Sequence, residues 1–219
     1  MKPIGAILLL ELALWGQPGS AVAGDDPCAS LLGTCEYYAC IDDVRLPCGG
    51  DGYALGYGQA YCEKFTQLAF WPPLNPWQGW IFPADGDRWR DGVRLCLQEQ
   101  LQGYFAQGGR RDCRSLREFA FASHPRCYTG GEDSFCALTP QNVAQVGLTI
   151  APTDFFAIET QQRVRQTASL CVDQLDGRIQ REDNPWVRFE LGNARNLWQL
   201  IARDPQELFR FAARNLPVE

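Results

Sequence analysis

Ten cysteines and a single histidine set the chemistry open to this chain of 219 residues. The cysteines are Cys28, Cys35, Cys40, Cys48, Cys62, Cys96, Cys113, Cys127, Cys136 and Cys171, and the only imidazole is that of His124. Zinc favours close Cys-x-x-Cys pairs or histidine partners. Here the tightest spacing is Cys35-x4-Cys40 and no second histidine exists. An even count therefore reads as a disulfide framework, and cysteines held in bridges are not available as nucleophiles. A Ser/His/Asp triad would have to use His124, but Phe121-Ala122-Ser123-His124-Pro125 contains no Gly-x-Ser-x-Gly elbow. His124 reads instead as a residue near a helix end, placed to meet terminal carbonyls.

Carboxylates could hydrolyse glycosides without histidine. Asp42, Asp43, Asp51, Asp85, Asp87, Glu99, Glu132, Asp133 and Asp154 are the candidates among 26 acidic residues, and nothing selects two of them. Neither Asp42-Asp43 nor Glu132-Asp133 opens an EF-hand. Solvated surface charge is the reading for these acids. The glycine-rich run from Gly49 to Gly58 lacks the Gly-Lys-Ser/Thr ending of a phosphate loop and reads as tight turns. No catalytic residue, metal or cofactor is expected. A net charge of −6 argues against phosphate-backbone binding, so no nucleic-acid partner is expected either.

Stepping along the chain, Lys2, the apolar run Ile4 to Trp15 and Ala21-Val22-Ala23 read as a signal peptide over residues 1–23. The run is too short to span a membrane, and it carries Glu11. The mature chain, 24–219, is expected to be secreted, extracellular or periplasmic, which suits disulfides. Residues 24–58 read as loop-rich and crosslinked, with a turn at Pro47–Gly52 and a second flexible point at Gly56-Tyr57-Gly58. A helix is expected from about Gln59. Prolines 72, 73, 76 and 83 make residues 71–86 a surface loop rather than a helix interior.

Trp89, Val93, Cys96, Leu97, Leu101 and Tyr104 recur at helical spacing until Gly108-Gly109. Cys113 to Ala120 predicts a shorter helix ending before Pro125. Thr139-Pro140 is an N-cap followed by a first-turn proline. Phe156, Val164, Ala168, Cys171, Leu175 and Ile179 form a stripe over about 153–180. Leu197, Leu200 and Ile201 follow, then a capped restart at Asp204-Pro205-Gln206-Glu207 carrying Leu208, Phe211 and Ala212. With no strand alternation, the fold class is all-α: a disulfide-rich single helical domain.

The cluster of Trp71, Trp77 and Trp80 admits two readings. Its rings could form a contact surface for a partner, or fold back onto a small core. We take them as the candidate binding residues.

In order, the cysteines resemble those of the stanniocalcins, secreted disulfide-rich helical glycoprotein hormones. The resemblance is carried by Thr34-Cys35-x4-Cys40, Cys48, Cys62-Glu63-Lys64-Phe65, Arg94-Leu95-Cys96, Arg110-Arg111-Asp112-Cys113, Cys127-Tyr128, Cys136 and Cys171, over about residues 28–180. It implies the pairs Cys28–Cys40, Cys35–Cys62, Cys48–Cys113, Cys96–Cys127 and Cys136–Cys171. It also implies no active site. Members act by binding other extracellular proteins, in calcium and phosphate regulation and as inhibitors of secreted metalloproteinases. The chain departs from the family at three points. No further cysteine follows Cys171 to link a homodimer covalently, no Asn-x-Ser/Thr acceptor occurs, and residues 66–88 form an extra aromatic, proline-rich insertion. A carboxylate-dependent extracellular polysaccharide hydrolase and a structural envelope protein are the competing readings.

Overall fold

A computed structural model describes residues 26–107 and 112–215. Residues 1–23, expected to be a signal peptide, and Gly108-Gly109 and Arg110-Arg111 lie outside the described residues. Among those described the fold is all-α and disulfide-rich, without strands.

A short 3-10 turn, Ala29–Leu31, leads into α1 (Glu36–Val44). Asp42 ends this region by accepting hydrogen bonds from the backbone N–H groups of Cys48 (3.0 Å) and Gly49 (3.2 Å), which folds the turn expected at 47–52. Gly49 takes a φ of +70°, a conformation that a side chain would strain. The next helix begins earlier than periodicity indicates. Residues Ala54–Gln59 form a π-helical turn that runs directly into α2 (Ala60–Thr66). Gly56-Tyr57-Gly58 is therefore helical rather than flexible. Gly58 is required by close approach, because a Cβ there would lie 2.5 Å from the Tyr38 ring.

Inside the expected surface loop sits a short helix, α3 (Pro76–Ile81). Pro76 occupies its first position, where no N–H is needed, and Asn75 Oδ1 accepts from the Gln78 N–H at 2.9 Å. The prolines exclude a helix only over 72–73 and at 83, and six residues between them escape that restriction.

The long helix α4 (Gly86–Ala106), capped by Asp85, packs antiparallel to α5 (Cys113–Thr129), capped by Asp112. Three contacts give the direction: the Trp89 indole N–H donates to the Tyr128 carbonyl, Cys96 bonds to Cys127, and the Tyr104 ring lies 4.9 Å from that of Phe119. Helix α5 does not stop before Pro125 but continues through it. An interior proline costs roughly 3 kcal/mol. Burial of Pro125, Cys127 and Thr129, together with the disulfide at Cys127, opposes that cost.

A 3-10 turn, Phe135–Ala137, precedes α6 (Pro140–Thr149), which is capped by Thr139 as expected. The stripe over 153–180 is split into α7 (Pro152–Phe155) and α8 (Ile158–Arg181). The break moves Phe156 outward, to 51% exposed, and Phe155 takes the core position. Helix α9 (Pro185–Arg203) returns antiparallel to α8, with Arg195 paired to Asp176 at 3.0 Å. Its inward face carries Val187, Leu191, Trp198 and Ile201; Leu200 faces solvent. Helix α10 (Gln206–Asn215) follows the Asp204 restart and packs on α6, where Leu208 meets Gly147.

Two hydrophobic clusters result. One, around Trp89, Phe135, Leu175 and Trp198, joins α4 to α6, α8, α9 and α10. The other, around Tyr37, Ile41, Tyr53, Leu101 and Leu116, joins the N-terminal helices to the far halves of α4 and α5. Five disulfides cross the fold: Cys28–Cys40, Cys35–Cys62, Cys48–Cys113, Cys96–Cys127 and Cys136–Cys171. They are the pairs that the stanniocalcin resemblance implies.

Loop-closure entropy ranks these bridges. Cys48–Cys113 spans 65 residues and Cys28–Cys40 spans 12, which corresponds to about 4 and about 3 kcal/mol respectively. Replacing Cys48 and Cys113 together by Ala should therefore lower the urea midpoint more than replacing Cys28 and Cys40. The reverse order would show that local packing, not chain closure, sets the contribution of each bridge.

Candidate functional site

The segment carrying Trp71, Trp77 and Trp80 is held from below by α6. Asn142, itself buried, clamps Trp71 by both backbone groups: its Oδ1 accepts from the Trp71 N–H at 3.0 Å, and its Nδ2 donates to the Trp71 carbonyl at 3.1 Å. Gln145 Nε2 donates to the Ala69 carbonyl, and Gln78 Nε2 donates to Gln141 Oε1 at 2.8 Å. On the opposite flank, Arg178 of α8 donates to the Ile81 carbonyl and Ala84 N–H donates to Ala137.

Ile81 and Ala84 turn into the core, whereas the indoles do not. Trp77 is 65% exposed, Trp80 53% and Trp71 38%. The Trp77 and Trp80 rings meet edge to face, with centroids 6.0 Å apart. The indoles themselves stand out from the core, so the segment presents aromatic surface on a backbone fixed by hydrogen bonds. Helix α3 packs against α9, whose first turns add the exposed Trp186 and Phe189. Sequence reading missed these two because α9 was legible only through its C-terminal leucines. It missed the α6 clamp because a buried amide at the third position of a helix leaves no pattern.

The acids are dispersed over separate duties. Asp43, Asp51, Asp85, Asp87, Glu99 and Glu132 are exposed. Asp42 caps the 48–49 turn, and is buried rather than solvated. Asp133 holds Arg88 at 2.9 Å, which keeps its carboxyl below the ordinary range. Asp154 accepts from the Tyr61 hydroxyl. Among the described residues, no group of three or more His, Cys, Asp or Glu could hold a metal ion, and no helix is long and apolar enough to cross a membrane.

His124 departs furthest from expectation. It lies inside α5, 4% exposed, and its Nε2 is 3.3 Å from the Tyr53 hydroxyl. It lines a cavity of about 60 Å³ at the junction of the two hydrophobic clusters, with Tyr38, Tyr53, Tyr57, Tyr61 and Tyr128 around it. A second cavity of about 40 Å³ adjoins it across Tyr57, Tyr128 and Ile150. The signal was present in the sequence. Tyr53, Tyr57 and Tyr61 follow at four-residue steps, as do His124 and Tyr128, so each set shares one helix face. Burial, helped by the nearby Arg163 charge, holds the His124 imidazole down to about 3, and burial pushes the Tyr128 phenol up to about 12. Both are neutral at physiological pH.

Two variants probe these features. Asn142→Ala removes both hydrogen bonds to Trp71 and should cost about 1–3 kcal/mol, with faster proteolysis within 66–75; unchanged proteolysis would show that the remaining contacts suffice. For His124, the folded pKa lies below the unfolded value near 6.5, so the unfolded chain takes up the proton first. Stability is then full above about pH 6.5 and falls toward pH 3, by at most about 1.4 kcal/mol per pH unit. His124→Phe should flatten the denaturation midpoint between pH 6.5 and 5, where carboxylates stay ionised. An unaltered slope would assign that window to other groups.

No family model, no curated protein and no solved structure matches the chain.

Proposed function

We propose that the protein is a secreted, non-enzymatic interaction protein of stanniocalcin-like type, which binds another extracellular protein through the face built by Trp71, Trp77 and Trp80. One observation carries this reading: two indoles more than half exposed stand on a short helix whose last carbonyl is held by α8 and whose preceding backbone, at Trp71, is held by α6. Exposed tryptophans on a mobile loop would lose ordering entropy on binding. On a crosslinked scaffold that cost is already met in folding. Tryptophan is also the residue most enriched among interface hot spots.

The five bridges support the family likeness, since they join the same cysteines that the resemblance pairs. They also suit an oxidising compartment. The family's roles in mineral-ion regulation and in inhibition of secreted metalloproteinases define the first partners to test. All ten cysteines are spent in bridges within the chain, so none of them offers a thiol for a covalent homodimer.

The Trp77→Ala/Trp80→Ala double variant should bind a secreted metalloproteinase or another identified extracellular partner about tenfold or more weakly than wild type. Its thermal midpoint should stay close to wild type, because both rings leave most of their surface in water. Equal affinity would place the interface elsewhere. A large loss of stability would make the rings part of the core and end this reading.

A further inference from the structure

The cavity around His124 is built from groups that the interaction surface does not use. Its hydrogen-bonding capacity is only partly spent. Tyr53 is matched to His124, and Tyr61 to Asp154 and the Ala151 N–H. Among the described residues the hydroxyls of Tyr57 and Tyr128 make no hydrogen bond to protein, yet both line the cavity. The rings of Tyr128 and Tyr57 lie 5.5 and 5.9 Å from that of His124, and the Tyr53 and Tyr61 rings lie 5.8 and 4.5 Å from Tyr57, so several phenols gather in one region. Both residues are half-buried and their hydroxyls are not sealed off, so the two donors are open to whatever enters the cavity.

Charge decides what that is. An aromatic box alone would suit a quaternary ammonium. The wall, however, includes Arg90 and Arg94 and no carboxylate. The acids that pair with these arginines, Asp87 and Asp91, are 61% and 57% exposed, against 17% and 16% for the guanidinium side chains. Arg90 also donates to the Leu68 carbonyl, and Arg94 to the Gly33 carbonyl and the Thr66 hydroxyl, so in each ion pair the cation is the more buried member and stands beside the cavity. Arg163, near His124, adds to the same field, and its Nε is buried without a partner. Size gives the second limit. About 60 Å³ is well below the roughly 300 Å³ of pockets for drug-sized ligands, and exceeds the space of a single water, about 30 Å³. Phe65, Val93 and Leu97 supply an apolar wall for a few carbon atoms.

We propose that this cavity is a binding site for a small carboxylate with a short apolar tail. The Tyr57 and Tyr128 hydroxyls donate to its oxygens, the half-buried Arg90 and Arg94 favour an anion over a cation beside them, and the tail lies against the apolar wall. The site is independent of the tryptophan face, since none of its residues belongs to the 71–80 segment.

The test uses the intact, disulfide-bonded protein with propionate as the probe and tetramethylammonium as the comparator, read by ligand-observed NMR at neutral pH. Wild type should bind propionate in the millimolar range or tighter and prefer it to the cation. Tyr57→Phe and Tyr128→Phe keep the rings and remove one donor each, so each should weaken binding about tenfold at an unchanged melting temperature. Val93→Phe should fill the cavity and abolish binding; if that variant fails to fold, the two Tyr→Phe variants decide alone. Absence of propionate binding at millimolar concentration, wild-type affinity in both Tyr→Phe variants, or preference for tetramethylammonium would each overturn the proposal.

Discussion

The antiparallel contact between α4 and α5, pinned at Cys96–Cys127, is the constraint on which the rest of the fold depends. Each helix serves both hydrophobic clusters. Helix α4 gives Trp89, Val93 and Leu97 to one and Leu101 and Tyr104 to the other, while α5 gives Cys127 to the first and Leu116, Ala120 and Phe121 to the second. The bridge lies two residues beyond Pro125, at the point where an isolated helix would break. Holding α5 helical there sets the positions of His124 and Tyr128, and through the Trp89 indole it sets the depth of the aromatic cluster. A polar junction is thereby preserved between the two hydrophobic clusters.

One other bridge reaches this pair, and the rest tie the remaining elements to one another. Cys48–Cys113 fastens the N-terminal turn to the first residue of α5, and Cys35–Cys62 joins α1 to α2. Cys136–Cys171 anchors the centre of α8 to the 3-10 turn ahead of α6. Helix α6 then has two tasks: Val143 and Val146 face the core, while Asn142 and Gln145 hold the aromatic segment by its backbone and Gln141 holds it by the Gln78 side chain. The indoles are free to face solvent because main-chain hydrogen bonds, rather than ring burial, fix the segment. Such a division is physically useful for recognition, since apolar side chains stay available while the entropy of their backbone has already been lost.

Surface and cavity place different demands on the same scaffold. The tryptophan face needs a backbone that does not move, whereas the cavity keeps neutral polar groups where hydrocarbon would pack better. Tyr57 and Tyr128 could be phenylalanine without loss of shape, and His124 is held neutral against its ordinary titration. Local departures from an all-apolar core of this kind are the usual mark of a site rather than of a packing requirement.

Much of this protein was legible in its sequence. Helical periodicity located α4, α8 and α10, the Thr139-Pro140 and Asp204-Pro205 pairs marked helix starts, and the even cysteine count with one histidine pointed to a crosslinked all-α fold. These signals are local: caps, prolines and three- or four-residue spacing act within a turn or two of chain. What only the tertiary structure decided required groups far apart in sequence. Pro125 is tolerated because Cys127 is bonded to Cys96, Phe155 rather than Phe156 turns inward because α7 and α8 break between them, and Trp77 and Trp80 face solvent because Asn142, 62 or more residues away, holds their segment. The cavity belongs with these. The spacing of its tyrosines put them on common faces, but their convergence on His124 follows from the close approach of Gly58 to Tyr38 and from the packing of the π-helical turn beside α5.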